Sequence, residues 1–405
     1  MHHSGQIFLG EANKSYPSAE GICNLYMTNS TLTTVRDGDK YPYVYIANGT
    51  YVFKDCTAKG VTYDYAFNVQ YGAEVIIDNS AFSGFRYRIG GEAANGWTRP
   101  SVLTLKSGSL KTDKVFLGTV SSKTSAVLHQ EGGLLTVNDL QACVGAQPVW
   151  LHLEGGELTA QYVRGMDKTK AKNPSGDGFA RLTANGGRIK CGKAVASPLI
   201  VGWDLAEVGE KGLVLDSDGN ACTVNQGFVN LEGESGRILK TGGGALTLMV
   251  PTDYTVSETC VDNGSLVVSA ETADASVTLV TALTVTNGAA LSTVGNAKDL
   301  TVGSLDINSA SLKLDPGDSI TVTGGAAFKG LALEFSTVPA LNEAKDILTV
   351  CGSVSADSIK AFTSAVINNV FPAGTYGKLT ARTPVVSLTN EFAVMRAKSA
   401  AALPT

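Results

Sequence analysis

The chain repeats itself, and that fact limits its folds more than any single motif. Three stretches near the start align without gaps: residues 25–32 (LYMTNSTL), 51–58 (YVFKDCTA) and 75–82 (VIIDNSAF). Their Asx positions, Asn29, Asp55 and Asn79, recur at nearly equal intervals. In each copy a small polar pair follows an apolar strand, as at a turn where Asx side chains bond the local backbone. Stacked coil on coil, the three would form a ladder. Further on, residues 128–136 (LHQEGGLLT) match 151–159 (LHLEGGELT), every aligned pair 23 apart. The turn-plus-strand unit returns at 185–189, 262–266 and 287–291, and fades into 308–312. One insertion stretches the spacing to 31.

Short β runs joined by Gly turns at a drifting period of about 21–26 residues mean a solenoid. Strands such as Ala245–Met249 alternate, placing Leu on one face and Thr or a small residue on the other. One coil cannot bury its apolar face alone, whereas stacked coils form parallel ladders around a shared interior. At about 24 residues per coil the chain predicts roughly 15 coils and a rod of about 70–80 Å. Such a rod has two open ends that invite pairing with other copies, head to tail. N-terminal coils over 1–100 with a protruding loop near 85–100, central repeats over 101–335 and a cap over 336–405 are the expected regions. A helix is expected from near Ser355, where Ile359, Phe362, Val366 and Ile367 sit at helical spacing before Pro372.

Composition narrows the function classes. With 45 Gly against 13 Phe, 13 Tyr and 3 Trp, the core is expected to rest on small and β-branched side chains. The hydrophobic fraction of 43% excludes wholesale disorder. A net charge of −5 with no basic tract argues against nucleic acid as a partner. No run of 18 apolar residues occurs, so insertion into a membrane as a helix is not expected. The seven cysteines (Cys23, Cys56, Cys143, Cys191, Cys222, Cys260, Cys351) are scattered and lack a C-x-x-C pair. That pattern fits buried thiols better than a zinc site or a disulfide scaffold.

The middle of the chain resembles the autotransporter-associated β-strand repeat of bacterial surface proteins. The residues that carry the likeness are 151–159 (LHLEGGELT), 212–220 (GLVLDSDGN), 239–248 (LKTGGGALTL), Tyr254-Thr255-Val256 and 261–268 (VDNGSLVV). The likeness spans roughly 150–270 and continues in degenerate form to 390, with Val256 where the family has Gly. The first hundred residues look more like a general pectate-lyase-type β-helix. The resemblance implies an all-β, right-handed parallel β-helix, secreted to the extracellular space or the bacterial cell surface, and structural or adhesive in role.

Several constellations could carry chemistry. In a strand, residues i and i+2 share a face, and the 23-residue repeat sets His129 beside His152 and Glu131 beside Glu154. Two imidazoles and two carboxylates on one patch could bind a transition metal or pair as acid and base, or could form a solvated polar ladder copied with its coil. Residues 216–220 (DSDGN) offer alternate oxygen ligands as calcium loops do, but lack the trailing Glu, and a plain turn is the simpler reading. Arg86, Tyr87, Arg88, Trp97 and Arg99 flank a Gly-rich interruption and would suit surface glycans through aromatic faces and guanidinium forks. Alternatively they cover a solenoid flank through their apolar stems. The locally basic insertion 164–178 reads as a solvated loop or a weak anionic docking site. Arg188-Ile189-Lys190 matches a tripeptide of polygalacturonase-like enzymes, but the accompanying Asp pairs and Gly-His-Gly are missing. No catalytic set or cofactor is expected. The expected function is a non-catalytic extracellular structural or adhesive solenoid, such as a surface stalk or fibre subunit. The alternative is a carbohydrate-binding or polysaccharide-degrading β-helix.

Overall fold

The computed structural model describes residues 2–3, 6–9, 23–35, 42–62, 66–91, 99–118, 124–142, 147–165, 178–250, 253–270, 272, 275–295, 297–368, 371–382 and 385–392. The chain is nearly all β, with 59% strand and 3% helix, and its coils stack in parallel as a β-solenoid of about 12 turns. It divides into two compact units, Met1–Thr259 and Cys260–Thr405.

In the first unit each coil adds one strand to a nine-stranded parallel sheet running from Leu25–Thr28 to Val229–Asn230. Strands on the remaining sides pair in parallel with those of the next coil, as Ser80–Ser83 does with Gly108–Lys111. Alternation decides which side chains enter. In Ala126–Gln130, Ala126, Leu128 and Gln130 are buried while Val127 and His129 stand half-exposed. Register then stacks like on like: Leu103, Leu128, Leu151 and Leu182 form one buried row. Each buried Leu contributes about 1.5–3 kcal/mol of transfer free energy.

The interior is not uniformly aliphatic, which corrects the expectation from composition. Aromatic side chains concentrate in the early coils, where Tyr51, Phe53, Phe67, Phe82, Phe85 and Tyr87 are all buried. Phe67 meets Phe82 and Phe85 edge-on at centroid distances of 6.0 and 5.4 Å, within the favourable range for T-shaped pairs. Later coils hold mainly Leu, Ile and Val.

One corner of the coil explains both repeat motifs. The chain leaves the nine-stranded sheet through a residue in left-handed conformation, at Asn29, Asp55 and Asn79 in the early coils (φ 47°, 53° and 43°). Asx tolerates this region best among residues with a Cβ. Asn79 Nδ2 donates to Asp55 Oδ1 at 2.6 Å, so the anticipated ladder exists between these two coils. At the next coil the left-handed residue moves one place along, to Gly108, Gly133 and Gly156 (φ 87°, 69° and 72°). There a Cβ on Gly156 would lie 2.4 Å from the Gly133 carbonyl oxygen, so both the torsion and the close stacking select glycine.

The second unit continues the pattern with shorter coils. Ser276–Thr286 pairs in parallel with Asp299–Asn308, and Ser311–Leu314 with Ala332–Phe335. The step from Ser311 to Ala332 is shorter than the step from His129 to His152 in the first unit. Parallel stacking gives way to an antiparallel arrangement, in which Ala344–Val350 pairs with Val385–Phe392 and that strand with Thr375–Arg382. The helix forms at Ala356–Thr363, with the Ser355 hydroxyl accepting from Ser358 N–H at 3.0 Å as its N-cap. It ends sooner than the spacing suggested. Val366 and Ile367, both β-branched, pair instead with Ala332 and Leu333. The turn number is below the one anticipated, and the coils are unequal in length. Val149 pairs with Ala180 across the insertion, and Ile320 with Leu348, both wider steps than that between the two histidines.

Candidate functional site

The outward rows of the nine-stranded sheet carry the first candidate. His129 and His152 are in register, with ring centroids 6.0 Å apart and planes at 78°. His129 Nδ1 lies 3.6 Å from Glu131 Oε1, and His129 Nε2 lies 3.2 Å from Glu154 Oε2. The second contact is an ion-pair distance but is off line for a hydrogen bond. The row continues through Thr183 to Glu207, which is bound by Arg181. Burial holds the His152 imidazole below its usual value, helped by His129 and Arg181 and opposed by Glu154 and Glu207. His152 is thus held neutral at pH 7. Among the described residues, no three His, Cys, Asp or Glu side chains converge to hold a metal ion. The stacked set is an imidazole–carboxylate ladder on the outward face of two adjacent coils.

The five residues proposed for glycans do not form one surface. Tyr87 is fully buried among Phe67 and Phe85, because its position in Tyr87–Ile89 alternates inward. It cannot stack on a sugar, and burial pushes its phenol well above the usual range. Arg86 is held by Asp113 of the next coil, Nε to Oδ1 and Oδ2 at 3.0 and 2.8 Å, which commits its fork to an internal carboxylate. Arg88 is half-buried opposite Asn68 and Phe116. Arg99 is exposed. Trp97 lies outside the described residues, as do Lys168, Lys170 and Lys172 of the basic insertion.

The calcium-like run is a turn. Asp216 Oδ1 accepts from the Asp218 N–H at 2.9 Å, and its Oδ2 meets Arg188 Nη1 at 2.9 Å. Asp218 pairs with Lys190 Nζ at 3.1 Å. The carboxylates are already met by cations, and by the same Arg188 and Lys190 that flank buried Ile189.

The polar cluster that sequence reasoning missed lies inside. Lys240 stands in an inward row after Ile189 and Leu215, with 1% of its surface exposed. Its ammonium donates to Ser217 Oγ (3.1 Å), the Thr241 carbonyl (2.7 Å) and the Gly242 carbonyl (2.8 Å). Three acceptors satisfy three protons, the condition under which an ammonium survives burial. Burial still lowers its proton affinity. Cys191 and Cys222 are both buried nearby, and the Cys191 thiol donates to the Lys193 carbonyl at 3.4 Å. The influence of each thiol on the other draws the Cys191 thiol down, against burial, and pushes the Cys222 thiol up, together with burial. Cys23, Cys56, Cys260 and Cys351 are also free thiols, and Cys143 lies outside the described residues. One signal could have flagged Lys240: in Arg237–Thr241 it falls two residues after Ile238, on the apolar phase of the strand.

No helix among the described residues is long and apolar enough to cross a membrane. No protein-family model matches this chain, and no curated protein matches it.

Proposed function

We propose that this chain is a non-catalytic extracellular structural or adhesive β-solenoid, a stalk or fibre subunit of a bacterial surface, right-handed in its winding. The observation that carries the reading is the register itself. Coil after coil, polar side chains are spent on their neighbours above and below: Arg86 on Asp113, Arg164 on Asp139, Arg188 on Asp216, Asn79 on Asp55. Individually such exposed pairs contribute about 0–1 kcal/mol. In series they tie adjacent coils along the stacking direction, which suits a load-bearing scaffold. The antiparallel pairing of Ala344–Val350 with Val385–Phe392 would limit parallel stacking beyond it.

Negative-stain electron microscopy, paired with sedimentation at rising concentration, tests the reading. Elongated particles that join end to end as concentration rises are expected. Compact particles whose sedimentation is independent of concentration would refute the fibre role.

A further inference from the structure

We propose that Asn263 is a self-modifying site, whose side-chain amide is converted to aspartate and isoaspartate through attack by the Gly264 backbone nitrogen. The chain contains five Asn-Gly steps, at Asn48, Asn95, Asn185, Asn263 and Asn287. A following glycine carries no Cβ to block the approach, so the fold decides which of them react. Asn48 is buried, and Asn95 lies outside the described residues. At Asn185 the amide is held from both ends, Nδ2 donating to Glu234 Oε2 at 3.2 Å and Oδ1 accepting the Lys211 N–H at 2.8 Å. The Gly186 N–H is meanwhile donated to the Gly212 carbonyl at 2.7 Å. At Asn287 the amide donates to Asp262, and the Gly288 N–H is donated to the Ser309 carbonyl at 2.7 Å. Asn263 differs from both. It is exposed, and the Gly264 N–H is aimed at the Asn263 Oδ1, 2.7 Å away. That contact sets the attacking nitrogen against the carboxamide carbon, one bond from Oδ1, in the manner of a near-attack conformer with reacting atoms roughly 3–3.5 Å apart.

The Gly264 nitrogen gives its proton to hydroxide and bonds to the Asn263 Cγ. The side-chain nitrogen takes a proton from water and leaves as ammonia, closing a five-membered succinimide. Water then opens the ring. Breaking the new N–Cγ bond yields aspartate, whereas breaking the original backbone C–N bond yields isoaspartate, with the main chain running through Cβ and Cγ. Nothing is oxidised or reduced, and water is the co-reactant. Either product sets a second carboxylate beside Asp262, whose Oδ1 accepts from Asn287 Nδ2. The isoaspartyl link also lengthens the backbone just ahead of Ser265–Ser269, where Ser265, Leu266 and Val267 pair with Ala290, Leu291 and Ser292. The site thus records the age of the chain at one corner of the second unit.

The test holds the full chain in mildly alkaline buffer, folded in one series and unfolded in urea in another. Samples taken over days are digested at mildly acid pH, and the peptides are quantified by mass spectrometry with electron-transfer fragmentation, which tells isoaspartate from aspartate. In the folded chain, conversion at Asn263 is expected to exceed that at Asn185 and Asn287 by about tenfold or more, with both products present. In urea the three rates should draw together, since each Asn then precedes a glycine in a free chain. Equal rates at the three sites in the folded chain would overturn the proposal. So would an intact Asn263 where Asn185 or Asn287 has converted, or aspartate at 263 without isoaspartate, the mark of direct hydrolysis.

Discussion

Two polar clusters of the first unit face opposite ways. The His129–His152 ladder faces outward, and its two coils carry the same LHxEGG motif, so one copy repeats the other. The Lys240 cluster faces inward, breaks the row begun by Ile189 and Leu215, and has no counterpart in those two coils. A repeat reproduces its surface groups along with its framework, so symmetry on the outside is weak testimony for a site. A polar group that interrupts an apolar row must be matched bond for bond, or the fold loses more than it gains. The inside cluster is the one with consequences.

That contrast can be broken at graded points. The largest effect is expected at Lys240→Ala, which takes a donor from Ser217 Oγ and the Gly242 carbonyl and opens a void, while the Thr241 carbonyl keeps the Ser217 N–H and hydroxyl. Stability should fall by about 3 kcal/mol in urea unfolding, and Lys240→Met, which keeps the volume, should recover part of it. At the corner, Asn79→Ala puts a Cβ without a compensating amide at φ 43° and removes the bond to Asp55, at a cost of about 1–2 kcal/mol. Asn79→Gly should cost less than Asn79→Ala. The smallest effect belongs outside. The folded chain holds His152 below its ordinary value of 6.5, so the unfolded state takes up the proton first as pH falls. The contribution is complete above pH 6.5 and declines below it. His152→Thr, the residue that the next coil carries at Thr183, should match the parent near pH 8 and resist acid better. A pH series of urea midpoints for the two chains reads that difference directly.

Much of the fold was legible because a solenoid writes itself into sequence as distance. The 23-residue offset places His129 against His152, and the Asx spacing places Asp55 against Asn79, from the sequence alone. What stayed hidden depended on phase within a strand or on events between coils. Tyr87 reads as a surface ring beside two arginines, yet strand alternation turns it inward. Lys240 reads as one more charge before a Gly-rich turn, yet its stem runs through the core. Arg86 reads as a free fork until the Asp113 of the next coil is seen beside it. The unequal coil lengths, long from Val149 to Ala180 and short from Ser311 to Ala332, also hid from a count based on the mean period.

In-register parallel stacking underlies everything above, and a distance across several coils tests it most directly. Tyr26 and Thr183 lie in one outward row, six strand steps apart in the nine-stranded sheet. Spin labels on keto side chains at positions 26 and 183, which leave the native thiols untouched, can be read by double electron–electron resonance. Stacking at the β spacing predicts a narrow distribution near 29 Å, roughly six times 4.8 Å. A broad distribution, or a separation far from that value, would contradict the coil register.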